Sequence, residues 1–241
     1  MSMRLDKYLV DEAYFESRNR ALEAIKAGKV KVDGKIVKPS IKVDKESLIE
    51  IEDEKFYASR AARKMENFLA ENPVELLAKR ALDIGSSTGG FAQILLENGV
   101  DSLACVDVGS DQLHHSLRDD KRLSLYENMD IREFASEESF EVISCDVSFI
   151  SILQIIEDID RLSAEESTIL ILYKPQFEVG REVRRDSRGV VTDRDAISRK
   201  REQFEDSAKE LGWELKHQSP SQITGKEGNL EYIYHFAKES R

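Results

Sequence analysis

Two patterns of apolar positions follow one another along the chain. In the first fifty residues the apolar runs are short. Leu5, Tyr8 and Leu9 share one helical face. Ser17 stands at an N-cap position ahead of a helical stretch over 18–27, and Gly28 stops it. Val30-Lys31-Val32 and Lys35-Ile36-Val37 alternate on either side of Asp33-Gly34. That pair accepts the positive φ angles of a two-residue turn, so the spacing predicts a hairpin. Residues 47–51 add a strand and close a small α+β module. Ser59 then precedes a helical stretch over 61–70, with Pro73 beyond its end.

From Arg80 onward the pattern becomes strand, helix, strand. Apolar runs predict strands at 81–84, 102–108, 124–126, 141–146, 168–174, 214–218 and 230–236. Helical spacing fills most of the intervals, notably 90–98, 152–162 and 193–211. This alternation predicts an α/β, Rossmann-like domain with a mostly parallel sheet flanked by helices. Ligands of such sheets bind beyond the carboxyl ends of the strands. The expected division is a module over 1–52, a linker over 53–63 and the α/β domain over 64–241.

Composition narrows the class. The 241 residues are 34% charged and 40% hydrophobic, as in a globular chain and unlike a disordered one. Cys105 and Cys145 both fall in apolar strand-like runs. They predict buried free thiols and a reducing cytoplasm, with neither a disulfide framework nor metal-ligand spacing. The opening segment has no apolar core of signal-peptide type, and the longest strongly apolar run, 169–173, is too short for a membrane span.

Charge is informative only once it is divided. The formal net charge of -11 speaks against a polyanionic partner. Residues 1–50, however, hold 11 basic and 9 acidic side chains, while the rest holds 25 and 38. Residues 18–42 alone hold eight basic residues against Glu23 and Asp33. A basic module precedes an acidic domain, so the average does not exclude nucleic acid.

The segment Leu82-Asp83-Ile84-Gly85-Ser86-Ser87-Thr88-Gly89-Gly90-Phe91 leads a strand through a loop of small residues into a helix. The backbone can approach a ligand closely there, and the helix N-terminus offers free N–H groups. The glycine spacing fits neither the dinucleotide fingerprint nor a P-loop. It resembles the first motif of the S-adenosylmethionine-dependent methyltransferases. Asp107, at the end of the next strand, can accept hydrogen bonds from ribose hydroxyls. Asp130 follows the third strand, where such folds contact adenine. Asp146 ends the fourth strand. Lys174 ends an otherwise apolar strand, where a lysine is costly unless paired or functional.

Several further motifs fall in order: Ser59-Arg60-Ala61-Ala62-Arg63-Lys64, Cys145-Asp146-Val147-Ser148-Phe149-Ile150, Lys174-Pro175-Gln176-Phe177-Glu178, Gly189-Val190-Val191 and Gly228-Asn229-Leu230-Glu231. On these the chain resembles the TlyA-type proteins, long labelled hemolysins and related to the FtsJ-like ribose methyltransferases. The first fifty residues are similar to the RNA-binding module first named for ribosomal protein S-four. The resemblance implies transfer of a methyl group from S-adenosylmethionine to a ribose 2′ hydroxyl of ribosomal RNA, on a cytidine, with ribosomal RNA or ribosomal subunits as partner. It implies a catalytic set of Lys64, Asp146, Lys174 and Glu231. The cofactor site would comprise Asp83, Gly85, Ser86, Ser87, Thr88, Gly89, Gly90, Phe91, Asp107, Asp130 and Asp146. Arg4, Lys7, Arg18, Arg20, Lys26, Lys29, Lys31 and Lys35 are the expected RNA contacts.

The sequence departs from the family pattern in three places. Ala61-Ala62 stand where glycine is usual, Asp130 where Asn is expected, and the 181–188 loop is long and arginine-rich, read either as a lid over the site or as a solvated loop. Competing readings are a membrane-active hemolysin, an RNA-binding protein with a non-catalytic fold, and methyl transfer to a base or protein. The complete lysine–carboxylate set speaks against the second. Asp-Val-Ser-Phe after the fourth strand differs from the Asn/Asp-Pro-Pro-Tyr type of the base N-methyltransferases.

Overall fold

In the computed structural model the description covers residues 2–11, 14–15, 17–44, 46–52, 57–225 and 227–239. The chain divides into two compact units, Met1–Phe56 and Tyr57–Arg241.

The first unit runs β1 (Met3–Arg4), α1 (Leu5–Asp11), α2 (Arg18–Lys26), β2 (Val30–Val32), β3 (Lys35–Ile36), β4 (Lys42–Val43) and β5 (Ile49–Ile51). Ser17 caps α2 by accepting the Arg20 N–H at 3.3 Å. Asp33 and Gly34 both take positive φ, 52° and 75°, which turns β2 into β3 as a tight hairpin. β5 pairs with β2, on the side away from β3. Leu5, Leu9, Ala21, Ile25 and Val30 are buried together and give this unit its own core.

The second unit contains α3 (Arg60–Glu71), β6 (Arg80–Ile84), α4 (Gly90–Glu97), β7 (Ser102–Val106), α5 (His115–Arg118), β8 (Leu123–Tyr126), β9 (Phe140–Cys145), α6 (Ile156–Leu162), β10 (Ser163–Tyr173), α7 (Pro175–Glu178), α8 (Arg194–Glu210), β11 (Trp213–Pro220) and β12 (Tyr232–Lys238). One seven-stranded sheet has the order β11-β12-β10-β9-β6-β7-β8. The five strands from β10 to β8 are parallel, and β12 is antiparallel to both neighbours. Both faces are covered, which is why the central strands read as near-continuous apolar runs. Leu82, Ile84, Ile143 and Ile171 face α6 and α8, while Ala81, Leu103, Val142 and Leu170 join the core of α3 and α4.

The chain leaves β6 toward β7 and β8, then returns to β9 on the other side of β6. The strand order therefore reverses between β6 and β9, and a crevice opens at their carboxyl ends.

Several boundaries differ from the sequence reading. Residues 60–63, read as linker, form the first turn of α3, because Ser59 caps that helix on the Ala61 N–H. Residues 53–56 of that linker lie outside the described residues. β7 stops at Val106, since Asp107 accepts the Gly109 N–H at 2.7 Å and turns the chain. β10 starts five residues earlier than expected, through a polar stretch with a shift of register before Thr168. β12 starts at Tyr232, which leaves Glu231 in the preceding loop.

Candidate active site

The glycine-rich loop leaves β6 at the switch point. Gly85 has a φ of 76°, and a β-carbon there would lie 3.0 Å from the Asp146 carbonyl oxygen and 3.1 Å from Val147. Only glycine lets this loop pass so close to the end of β9. Gly90 serves a different contact. A β-carbon on it would meet Ser59 Oγ at 2.1 Å and Ala62 N at 3.0 Å, so its absence lets the start of α3 abut the start of α4. Gly89 does not line the crevice. Its missing β-carbon faces Leu117 and Leu113, so this glycine sets the packing of α5.

The loop frames a crevice of about 620 Å³ that also takes in Asp83, Ser86, Ser87, Thr88 and Phe91. Asp83 is 1% exposed and sits cross-strand from Ser144, whose hydroxyl donates to it at 2.6 Å. Burial pushes the Asp83 carboxyl up to about 7; the Ser144 hydrogen bond opposes this, and the nearby Asp146 and Asp107 add to it. Asp83 Oδ2 and the buried Ser86 Oγ have no hydrogen-bond partner within direct reach among the described residues, although the Ala92 N–H in the first turn of α4 also helps to hold the Asp83 carboxyl down.

A second crevice of about 420 Å³ adjoins it, lined by Asp107, Val108, Met129, Asp130, Ile131 and Phe149. Asp107 accepts the N–H of Ser87 at 2.8 Å and of Gly109 at 2.7 Å, one on each oxygen. Each oxygen keeps a further lone pair. Asp130 lies on the wall, and Arg132 grips its carboxylate at 2.9 and 2.5 Å. The Arg132 hydrogen bonds hold that carboxyl down, at about 2.

Two lysine–carboxylate pairs stand at the mouth of the first crevice. Asp146 and Lys174 follow β9 and β10, which are parallel neighbours, so both emerge at the same edge. Lys174 Nζ lies 2.6 Å from Asp146 Oδ1 and donates to Ser148 Oγ at 2.9 Å. Lys64, on the buried face of α3, lies 2.5 Å from Glu231 Oε2. Gln176 donates to the other Glu231 oxygen at 2.9 Å. Burial raises the Asp146 carboxyl; Lys174 and then Lys64 oppose the rise, and Glu231 reinforces it.

The structure thus brings Lys64, Asp146, Lys174 and Glu231 to one opening beside Gly85, Ser86, Ser87 and Thr88. It also places residues there that the sequence reading did not single out. Ser59 and Arg60 line the crevice from the start of α3. Phe149 is 90% exposed, with its ring 5.0 Å from that of Phe177. The motif match included these residues, but no local pattern marks Phe149 as an exposed side chain. The 181–188 loop is a hydrogen-bonded turn. Asp186 accepts the N–H of Arg188 and Val190, and Arg185 donates to the Gln176 carbonyl at 3.0 Å.

In the first unit, Arg4 and Arg18 both bind the buried Asp6 carboxylate, at 3.0 and 2.9 Å. They hold β1, α1 and α2 together as well as adding positive charge. Lys7, Arg20, Lys26 and Lys35 are exposed, and Lys29 and Lys31 half-buried. Both cysteines are buried and free, and burial raises both thiols. No helix among the described residues is long and apolar enough to cross a membrane.

Comparison with known proteins assigns a family to each of the two units. Residues 57–238 match the FtsJ-like methyltransferase family, and residues 3–49 match the S4 domain. The chain is 46% identical to the 23S rRNA (cytidine-2′-O)-methyltransferase TlyA of Campylobacter jejuni, over 98% of this chain and all of that one. It is 34% identical to the 16S/23S rRNA (cytidine-2′-O)-methyltransferase TlyA of Mycobacterium tuberculosis, over 95% and 88% of the two chains. A solved structure from Streptococcus thermophilus, under a provisional hemolysin label, superposes with a TM-score of 0.73 at 32% identity, covering 99% of this chain and 89% of that one. The chain belongs to the FtsJ-like methyltransferase family and, within it, to the TlyA-type methyltransferases that carry an amino-terminal S4 domain.

Proposed function

We propose that this protein methylates a ribose 2′ hydroxyl of ribosomal RNA, at a cytidine, with S-adenosylmethionine as donor. The observation that carries this reading is the meeting of the Lys174–Asp146 and Lys64–Glu231 pairs beside the glycine-rich loop. The names of the relatives supply the substrate class.

The two crevices fit the cofactor. The orphaned Asp83 Oδ2 and Ser86 Oγ suit the ammonium of an amino-acid tail. Asp107 has lone pairs for two ribose hydroxyls, and Val108, Met129 and Ile131 offer an apolar slot for a purine. The bound cofactor supplies an electrophilic methyl group on a sulfonium.

The protein then has to place the acceptor oxygen and take its proton. Lys174 is the group for this. In this reading Lys174 yields a proton to the neighbouring Asp146 carboxylate, whose proton affinity burial raises although Lys174 itself opposes the rise, and Lys174 Nζ takes the proton of the 2′ hydroxyl. The two side chains gain one positive charge as the sulfonium loses one, so the total charge of the site is unchanged. Lys64, tied to Glu231, keeps a fixed positive charge nearby. Phe149 offers a stacking face for the target base, as exposed aromatics do in single-stranded RNA recognition. Lys7, Arg20, Lys26, Lys29, Lys31 and Lys35 contact RNA phosphates, with Arg4 and Arg18 adding to the field.

The test is methyl transfer from labelled S-adenosylmethionine to ribosomal subunits that lack the modification, followed by nucleoside analysis. The expected product is 2′-O-methylcytidine, and a base-methylated nucleoside would overturn the reading.

The state of Asp83 adds a pH dependence. An ammonium bound at Oδ2 favours the ionised carboxylate, so cofactor binding below about pH 7 releases a proton. Affinity for S-adenosylhomocysteine is therefore expected to tighten as pH rises toward about 7, and then to level off. Asp83→Asn removes that slope. Calorimetry in buffers of different ionisation heat measures the proton directly, and a flat affinity from pH 5.5 to 8 in the unaltered protein contradicts the assignment.

A further inference from the structure

The single turn α7 makes more contacts with the site than its length requires. Lys174 just before it binds Asp146 and Ser148, Gln176 holds Glu231, and Phe177 lies against Phe149. Its last residue, Glu178, touches none of these. Glu178 is 8% exposed, and its carboxyl accepts the Ser151 hydroxyl at 2.5 Å and the Ile152 N–H at 2.9 Å. Burial raises this carboxyl; the Ser151 and Ile152 hydrogen bonds and, less, the charge of Lys200 oppose the rise. An acid is costly there, and an apolar residue would pack more cheaply. Its position is explained by what it holds.

Ser151 and Ile152 lie just beyond Phe149 in the chain. Phe149 has a φ of 69°, a strained conformation for a bulky L-residue that persists only when the surroundings impose it. On its amino-terminal side the segment is anchored by Asp146, whose N–H donates to Ile84 at 2.9 Å, and by the Lys174–Ser148 bond. On its carboxyl-terminal side the anchor is Glu178. We infer that Glu178 is a positioning residue that holds the Asp146–Ile152 loop from below and fixes Phe149 outward, ready for the RNA nucleotide. This rests on the proposed acceptor role of Phe149. Glu178 itself lines neither crevice; the loop it holds also walls the second crevice through Val147 to Ile150, but the residue it aims, Phe149, faces outward, so the larger effect falls on the RNA side of the reaction.

The test uses the full chain with ribosomal subunits lacking the modification, and S-adenosylhomocysteine in calorimetry. Glu178→Ala is expected to raise the KM for subunits about tenfold, with the S-adenosylhomocysteine affinity changed less than about twofold. Glu178→Gln, which keeps an acceptor for the Ile152 N–H, recovers most of the loss. In a Phe149→Ala background, Glu178→Ala adds nothing, because the side chain it positions is gone. The inference is overturned if Glu178→Ala leaves the KM unchanged, if it weakens cofactor binding equally, or if its effect persists without Phe149. Should Glu178→Ala not fold, Ser151→Ala removes one of the two donors and is read the same way, with a smaller rise in KM. If the unaltered protein methylates no 2′ hydroxyl, the proposed function fails. If it does and Glu178→Ala behaves as wild type, only this inference fails.

Discussion

Replacing Lys174 with alanine is expected to lower methyl transfer to ribosomal subunits by about a hundred- to ten-thousand-fold, the range for a positioned proton-transfer group. A ribose hydroxyl is a very weak acid, and Lys174 Nζ is held at the mouth of the crevice by Asp146 and Ser148. Alanine removes the proton acceptor and strands a buried carboxyl, but it leaves Asp83, Ser86 and Asp107 in place. Affinity for S-adenosylhomocysteine should therefore change by no more than about threefold. Arginine at this position keeps a cation but cannot give up its proton, and its planar fork does not match the ammonium. Lys174→Arg should accordingly be nearly as slow as Lys174→Ala in single-turnover kinetics. Substantial activity in Lys174→Arg would show that a fixed charge suffices and that the proton leaves by another route.

The second large effect is on stability. Lys64 and Glu231 are 7% and 4% exposed and lie 2.5 Å apart. Removing one partner leaves a buried charge alone, which typically costs about 3–5 kcal/mol. Lys64→Met and Glu231→Leu are each expected to lower the unfolding temperature by roughly 10 °C, at about 2–4 °C per kcal/mol for a unit of this size. Gln176 softens the loss in Lys64→Met slightly, since it still donates to one Glu231 oxygen. The double variant Lys64→Met/Glu231→Leu should regain most of the stability, because two apolar side chains of similar length can fill the same space. It should regain no activity. Calorimetric scans of the four proteins decide this, and additive losses in the double variant would show that the two residues are not coupled.

These expectations depend on features with unequal visibility in the chain. The Asp33-Gly34 hairpin, the Ser17 and Ser59 caps and the central strands follow from short-range rules, and each could be placed within a few residues. β10 was harder. Four of its first five residues are polar, and that stretch is tied to the sheet by Ser163 opposite Phe140 of β9 and Ser167 opposite Lys238 of β12. The end of β7 depends on one side chain, Asp107, turning back on Gly109. The three loop glycines look alike in the sequence. Gly85 admits the end of β9, Gly89 admits α5 and Gly90 admits α3, and only the tertiary contacts separate these roles.

The net charge of -11 does not by itself exclude a polyanionic partner. The basic excess over residues 18–42 is a local fact that the chain-wide average conceals. The alternation of apolar runs determined an α/β domain, and the order of motifs determined the family, because backbone propensity and motif spacing are both written along the chain. What only the tertiary structure decided is who meets whom. Lys64 finds Glu231, and Glu178 reaches past the site to the loop behind Phe149, whereas the approach of Asp146 and Lys174 follows already from their places at the ends of successive strands. Those pairings arise from the crossover at β6 and from strand register, which bring together residues far apart in sequence. A periodic pattern records which face is buried; it does not record what lies against that face.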